Sequence, residues 1–110
     1  MTWVRRECRW FYGRPMPSYR VTLVVGSLQP GVDPQRILPT AKDAALELAV
    51  VEAADVQVVS GQARIVIRFA ADEGEIAAQI GQHVASTVST LASVTRWSIT
   101  ERVRNLWVAV

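Results

Sequence analysis

The sequence predicts a single α+β domain in which one antiparallel sheet carries two helices on one of its faces. Four segments alternate apolar and polar residues, as half-buried strands do, and two others place apolar residues at helical spacing. Their order along the chain is strand, helix, strand, strand, helix, strand. With 110 residues, the chain has room for one hydrophobic core and not for two.

The first strand and the first helix follow from local patterns. Apolar residues alternate over Tyr19–Val25, which predicts a strand with one buried face. The glycines and the proline within residues 26–31 predict a loop after it. Asp33 then stands as a helix N-cap before a proline. Because Pro39 blocks one internal hydrogen bond, we expect a broken start and then one continuous helix through about Val50.

A hairpin, a second helix and a final strand follow. Alternating apolar residues on both sides of residues 60–62 predict two strands joined by a short glycine-containing turn. The carboxylates within residues 72–75 favour the positive end of a helix dipole. The apolar stripe of that helix comprises Ile76, Ile80, Val84, Val88 and Leu91. Alternation returns over residues 94–103, and residues 106–110 either extend this strand or form a short fifth one.

Right-handed crossovers turn this order of elements into the ferredoxin-like βαββαβ arrangement. We therefore expect residues 18–110 to form one domain. It would have a four-stranded antiparallel sheet with both helices on one face, and a short fifth strand as an option at the C-terminus. The core should bury residues from the middle of the elements, namely Leu23, Ile67, Phe69, Ile80 and Val84. Many unrelated functions share this architecture, so the fold alone does not predict a reaction or a ligand.

Residues 1–17 form a basic and aromatic lead segment, which is either an extended native segment or an upstream extension if Met16 is the natural start. Residues 1–20 contain five arginines and one glutamate, a net charge of +4, whereas the other 90 residues carry −2. The lone cysteine, Cys8, excludes an internal disulfide, and no apolar run reaches the roughly 18 residues of a membrane span. We therefore expect a cytoplasmic protein, and its arginine-rich composition is typical of a high-GC bacterial genome.

The sequence offers no complete catalytic, cofactor or metal motif, so we expect none of these sites. Residues 26–31 have the G-x-x-x-x-G spacing of a phosphate loop, but a valine and an aspartate follow where such a loop needs lysine and then serine or threonine. His83 and Cys8 are the only residues of their types, whereas a zinc site draws several ligands from them. We expect His83 to be half-buried and hydrogen-bonded to the backbone or to Thr87 rather than to act as a general base.

One face of the predicted sheet gathers arginines. If the apolar alternates face the helices, the outward-facing residues are Arg20, Thr22, Val24, Arg64, Val66, Arg68, Arg96, Ser98, Thr100 and Arg102. Five of these ten are arginines and none is acidic. We take them as the candidate interaction face.

This pattern favours a non-enzymatic domain that forms a homodimer, or binds a protein partner, through its sheet face or a sheet edge. Val24 and Val66 would then begin the apolar contact, unless the lead segment folds back over the face. The first alternative is single-stranded nucleic acid bound by the arginines. RNA-recognition modules place stacking aromatics on the central strands, however, where this chain has Thr22 and Val66. The second alternative is a small-molecule-binding or enzymatic domain.

Overall fold

The computed structural model describes residues 10–11 and 14–110, with side chains from residue 16 onward. Most of the lead segment, including Cys8, lies outside the described residues. The order of the elements is β1 (Trp10–Phe11), β2 (Arg14–Pro15), β3 (Ser18–Leu28), a 3-10 turn (Pro34–Arg36), α1 (Ile37–Leu46), β4 (Val50–Val59), β5 (Gln62–Ala70), α2 (Gly74–Val88), β6 (Ala92–Val103) and β7 (Leu106–Ala109).

The predicted α+β class is confirmed, and the sheet is larger than predicted. β1 and β2 form a separate two-stranded hairpin, whereas the main sheet has five strands in the order β4-β5-β3-β6-β7. All neighbours in this sheet are antiparallel. The expected four strands are therefore one too few. The fifth strand arises because Arg104 and Asn105 both adopt positive φ, 52° and 71°, and make a two-residue turn that returns the chain along β6.

Several element boundaries differ from the expected ones. β3 continues through Gly26, which we had placed in a loop, because irregular pairing with β6 extends to Leu28. A Cβ atom at Gly26 would lie 2.5 Å from Ser93 Oγ, so glycine permits this close approach. α1 ends at Leu46, and Val50 already begins β4. Pro39 is accommodated in the first turn of α1, where backbone N–H groups have no intrahelical partner.

The core lies between one face of the sheet and the two helices. All five predicted core residues are buried there, each at most 3% exposed. α1 contributes mainly alanines, and α2 contributes Ile80, Val84 and Val88. A Cβ atom at Gly81 would lie 2.6 Å from Ile99 Cδ1 and 2.7 Å from Trp97 Cζ3, so α2 packs directly against β6 because this residue has no side chain. In the part of the chain that the structure describes, no helix is long and apolar enough to cross a membrane.

Candidate interaction surfaces of the sheet

The ten residues of the candidate interaction face lie on the outer face of the sheet, opposite the helices. Strand register sets them in rows: Arg20 pairs with Arg68 on one side and with Thr100 on the other. The next row joins Val66, Thr22 and Ser98, and the third joins Arg64, Val24 and Arg96. Arg102 follows at the end of β6. Period-two alternation was therefore sufficient to place these residues on one face.

Val24 is buried, at 5% exposure, although we expected its side chain to be exposed and to begin an apolar contact with a partner. Its two cross-strand neighbours are Arg64 and Arg96, and the aliphatic stems of long cationic side chains commonly cover apolar surface in this way. Arg64 is itself half-buried, and its Nε atom has no hydrogen-bond partner among the described residues. Val66, the other residue expected to begin an apolar contact, is half-buried, so only part of the expected apolar surface is available to a protein partner.

An aromatic side chain that the sequence analysis did not assign to this face lies across it. Trp107 pairs with Arg102 in the β6–β7 ladder, so its ring projects to the outer side. The centre of that ring lies 4.1 Å from Arg20 Cζ and 5.6 Å from Arg68 Cζ, within the range of cation–π contacts. The last five residues could have predicted this position. If they form a fifth strand that folds back on β6, Trp107 pairs with Arg102 and shares its face.

The outer face also contains carboxylates that the ten residues do not include. β4 has an irregularity between Val51 and Ala53 that leaves Glu52 unpaired in the ladder. Arg68 Nε donates a 2.8 Å hydrogen bond to Glu52, and the Ser18 hydroxyl donates a second one of 3.0 Å. This ion pair reduces the positive charge of the face near Arg68.

The sheet exposes apolar side chains at both of its edges, and β4 forms one of these edges. β4 is ten residues long and terminates the sheet, and no other strand among the described residues pairs with its outer side. Four of its valines are exposed, with Val58 the most exposed at 73%: Val50, Val56, Val58 and Val59. Exposed strand edges carry unpaired backbone groups and are templates for pairing with another chain.

Hairpin geometry shows which backbone groups of β4 point outward. Ser60 and Gly61 both have positive φ and close a two-residue turn between β4 and β5, as predicted. In such a hairpin the flanking pair is hydrogen-bonded and the pairs then alternate, so Val58, Val56 and Ala54 direct their N–H and C=O groups away from β5. The Asp55 carboxylate accepts a 2.9 Å hydrogen bond from the Val56 N–H, which guards this edge at one point.

His83 lies outside both surfaces. Its Nε2 atom is 2.7 Å from Glu47 Oε1, so it links α2 to the residue that caps the C-terminus of α1. Thr87 donates to the His83 carbonyl oxygen and is not a partner of the ring. Among the described residues, no group of three or more histidine, cysteine, aspartate or glutamate side chains is placed to hold a metal ion.

Comparison with solved structures gives distant likeness only. No protein-family model matches the sequence, and no curated protein sequence matches it either. The chain is similar to the crystal structure of an amidase of the hydantoinase/carbamoylase family from Burkholderia multivorans, with 16% identity and a TM-score of 0.37. The alignment covers 86% of this chain and 28% of that one, so the chain spans less than a third of that protein. A likeness this weak carries no argument about function.

Proposed function

We propose that this chain is a non-enzymatic, ferredoxin-like interaction domain that forms a homodimer through the free edge of β4. The ferredoxin-like assignment is supported by the order of the strands: β3 lies between β5 and β6, and β4 lies at the edge. The observation that carries the dimer is the ten-residue edge strand with its exposed valines. The cytoplasmic location belongs to the same proposal and is supported by the single cysteine.

The edge is a better candidate than the outer face because its apolar side chains are uncovered. On the face, Val24 is buried, whereas Val58 on the edge is 73% exposed. Natural proteins protect long edges with charges, bulges or covering segments. β4 has its irregularity near Glu52 and the Asp55 contact with the Val56 N–H, and neither protects the outward backbone groups of Val58.

A two-fold axis through Val56 gives a self-complementary register. The two copies of Val56 would face each other, and Val58 of each would pair with Ala54 of the other, so the outward N–H and C=O groups would meet. Asp55 would lie opposite Gln57 of the second copy. The side-chain amide of Gln57 would then donate to the Asp55 carboxylate in place of the Val56 N–H. No two like charges stand opposite each other in this register, and the product is a continuous ten-stranded sheet.

Light scattering on the full chain tests the proposal. We expect a mass of about twice 12.1 kDa at micromolar concentration. Val58→Lys should yield a monomer, because a charge would enter the apolar edge contact. The matched control is Leu106→Lys, at a position 68% exposed on the opposite edge strand β7, which should remain a dimer. A wild-type monomer across the accessible concentration range, or a dimer that Val58→Lys leaves intact, would remove the β4 interface.

Nucleic acid remains the second candidate, and Trp107 is the observation that favours it. An indole ring beside Arg20 and Arg68 provides the aromatic surface that the central strands lack. Glu52 counts against it, because this carboxylate is already paired with Arg68 on the same face.

A further inference from the structure

A cavity opens on the outer face at the end where the β6–β7 turn lies. It is a shallow depression that is largely open to solvent, with a volume of about 330 Å³. Three arginines from three different places in the chain line it: Arg68 from β5, Arg102 from the end of β6 and Arg104 from the turn. The turn is also the place where Arg104 adopts a φ of 52°, a conformation that non-glycine residues seldom adopt.

Hydrogen bonds anchor two of these guanidinium groups. Arg68 Nε donates to Glu52, and Arg102 Nη2 donates 3.0 Å to Asn105 Oδ1. Each bond uses one nitrogen of a group that has three nitrogens and five N–H donors. The anchored groups lose less conformational entropy when they bind a ligand, because their orientation is already restricted.

The charge of the cavity favours an anion. Three guanidinium groups line it, and Glu52, which pairs with Arg68, is the carboxylate beside them, so the local net charge is three minus one, or +2. Arginine donates paired N–H groups to phosphate oxygens, and a phosphate group has enough oxygens for several such donors at once. We propose that this cavity binds the phosphate group of a small phosphorylated ligand.

This site is distinct from the proposed dimer edge. The cavity draws on β3, β5, β6 and the turn before β7, whereas the proposed dimer contact is centred on Val56 on the free side of β4. β4 approaches the cavity through Glu52, the partner of Arg68, and Glu52 lies outside residues 54–58, which pair in the proposed dimer. Phosphate binding can therefore be measured whether the chain is a monomer or a dimer.

The test is calorimetric titration of the full chain with inorganic phosphate and, separately, with glycerol phosphate, at constant ionic strength. We expect both to bind more tightly than chloride, and glycerol phosphate to bind better if the native ligand is an ester rather than the free ion. Arg102→Gln with Arg104→Gln should weaken binding at least about tenfold, since each removes a charge-assisted hydrogen bond. Arg102→Lys should lose part of the affinity, because lysine keeps the charge without the paired donors.

Arg96→Gln is the matched control, because Arg96 is exposed on the same face and outside the cavity. It should leave phosphate binding unchanged. Equal losses in Arg96→Gln and in the double variant would mean that the face attracts anions without a site. Phosphate binding no tighter than that of chloride would also overturn the proposal. Thermal unfolding of each variant should also be measured without phosphate. Unfolding temperatures equal to that of wild type show that a loss of binding does not come from a folding defect.

Discussion

Phe69 offers the most direct test of how the sheet packs on the helices. Its side chain is 0% exposed on the interior strand β5, and its ring stacks on that of Tyr19 with centroids 6.2 Å apart and planes 24° apart. Phe69→Ala removes the ring and leaves a cavity beneath two helices. Such changes cost about 3 to 5 kcal/mol, a large part of the 5 to 15 kcal/mol that stabilises a typical small domain.

Because the alanine variant can approach complete unfolding, Phe69→Leu tests the same packing with a smaller loss of stability. We expect it to lower the free energy of unfolding by about 1 to 2 kcal/mol, since leucine refills most of the volume. A double-mutant cycle with Tyr19→Leu should give a coupling of about 0.5 to 1.5 kcal/mol, the usual range for an aromatic pair.

Urea unfolding followed by circular dichroism, at one fixed protein concentration, measures these values. Concentration matters because a dimer gains apparent stability by mass action. Leu106→Ala, at an exposed position on β7, is the control and should change stability by less than about 0.5 kcal/mol. A loss below 1 kcal/mol for Phe69→Ala, or an equal loss for Leu106→Ala, would refute the assignment of Phe69 to the core.

Two further predictions concern ionisable groups. Burial, and then the carboxylates of Glu101, Glu73 and Asp72, raise the pKa of Tyr19 above 10.0 in the folded state. The contribution of Tyr19 to stability is therefore complete below about pH 10 and falls as pH rises toward the folded pKa. The free energy of unfolding in urea should then decrease more steeply with alkaline pH for wild type than for Tyr19→Phe. Equal decreases in the two proteins would contradict this. For single-stranded DNA near physiological salt, we expect binding weaker than about 10 µM by fluorescence anisotropy, because Glu52 offsets the arginines. Tighter binding with a log-log salt slope near −3, abolished by Arg96→Glu with Arg102→Glu, would instead make nucleic acid the leading function.

Local patterns in the sequence determined most of the secondary structure and the orientation of the central strands. Alternation puts Val21 and Leu23 on one face of β3 and Ile67 and Phe69 on one face of β5, because side chains along a strand point to opposite faces in turn. Their apolar character then predicts that both sets face the core. Gly61 predicted the hairpin turn, because a positive φ costs glycine little. These features depend on residues close together in the chain.

The surface chemistry was decided by contacts between residues far apart in the chain. Trp107 lies over Arg20 only because the turn at residues 104–105 folds β7 back onto β6. Glu52 reaches Arg68 only because β4 departs from regular pairing with β5. Val24 is buried on the central strand, where its cross-strand neighbours are Arg64 of β5 and Arg96 of β6. A sequence pattern identifies which residues share a face, whereas the partners across that face follow from strand order and register, which only the tertiary structure establishes.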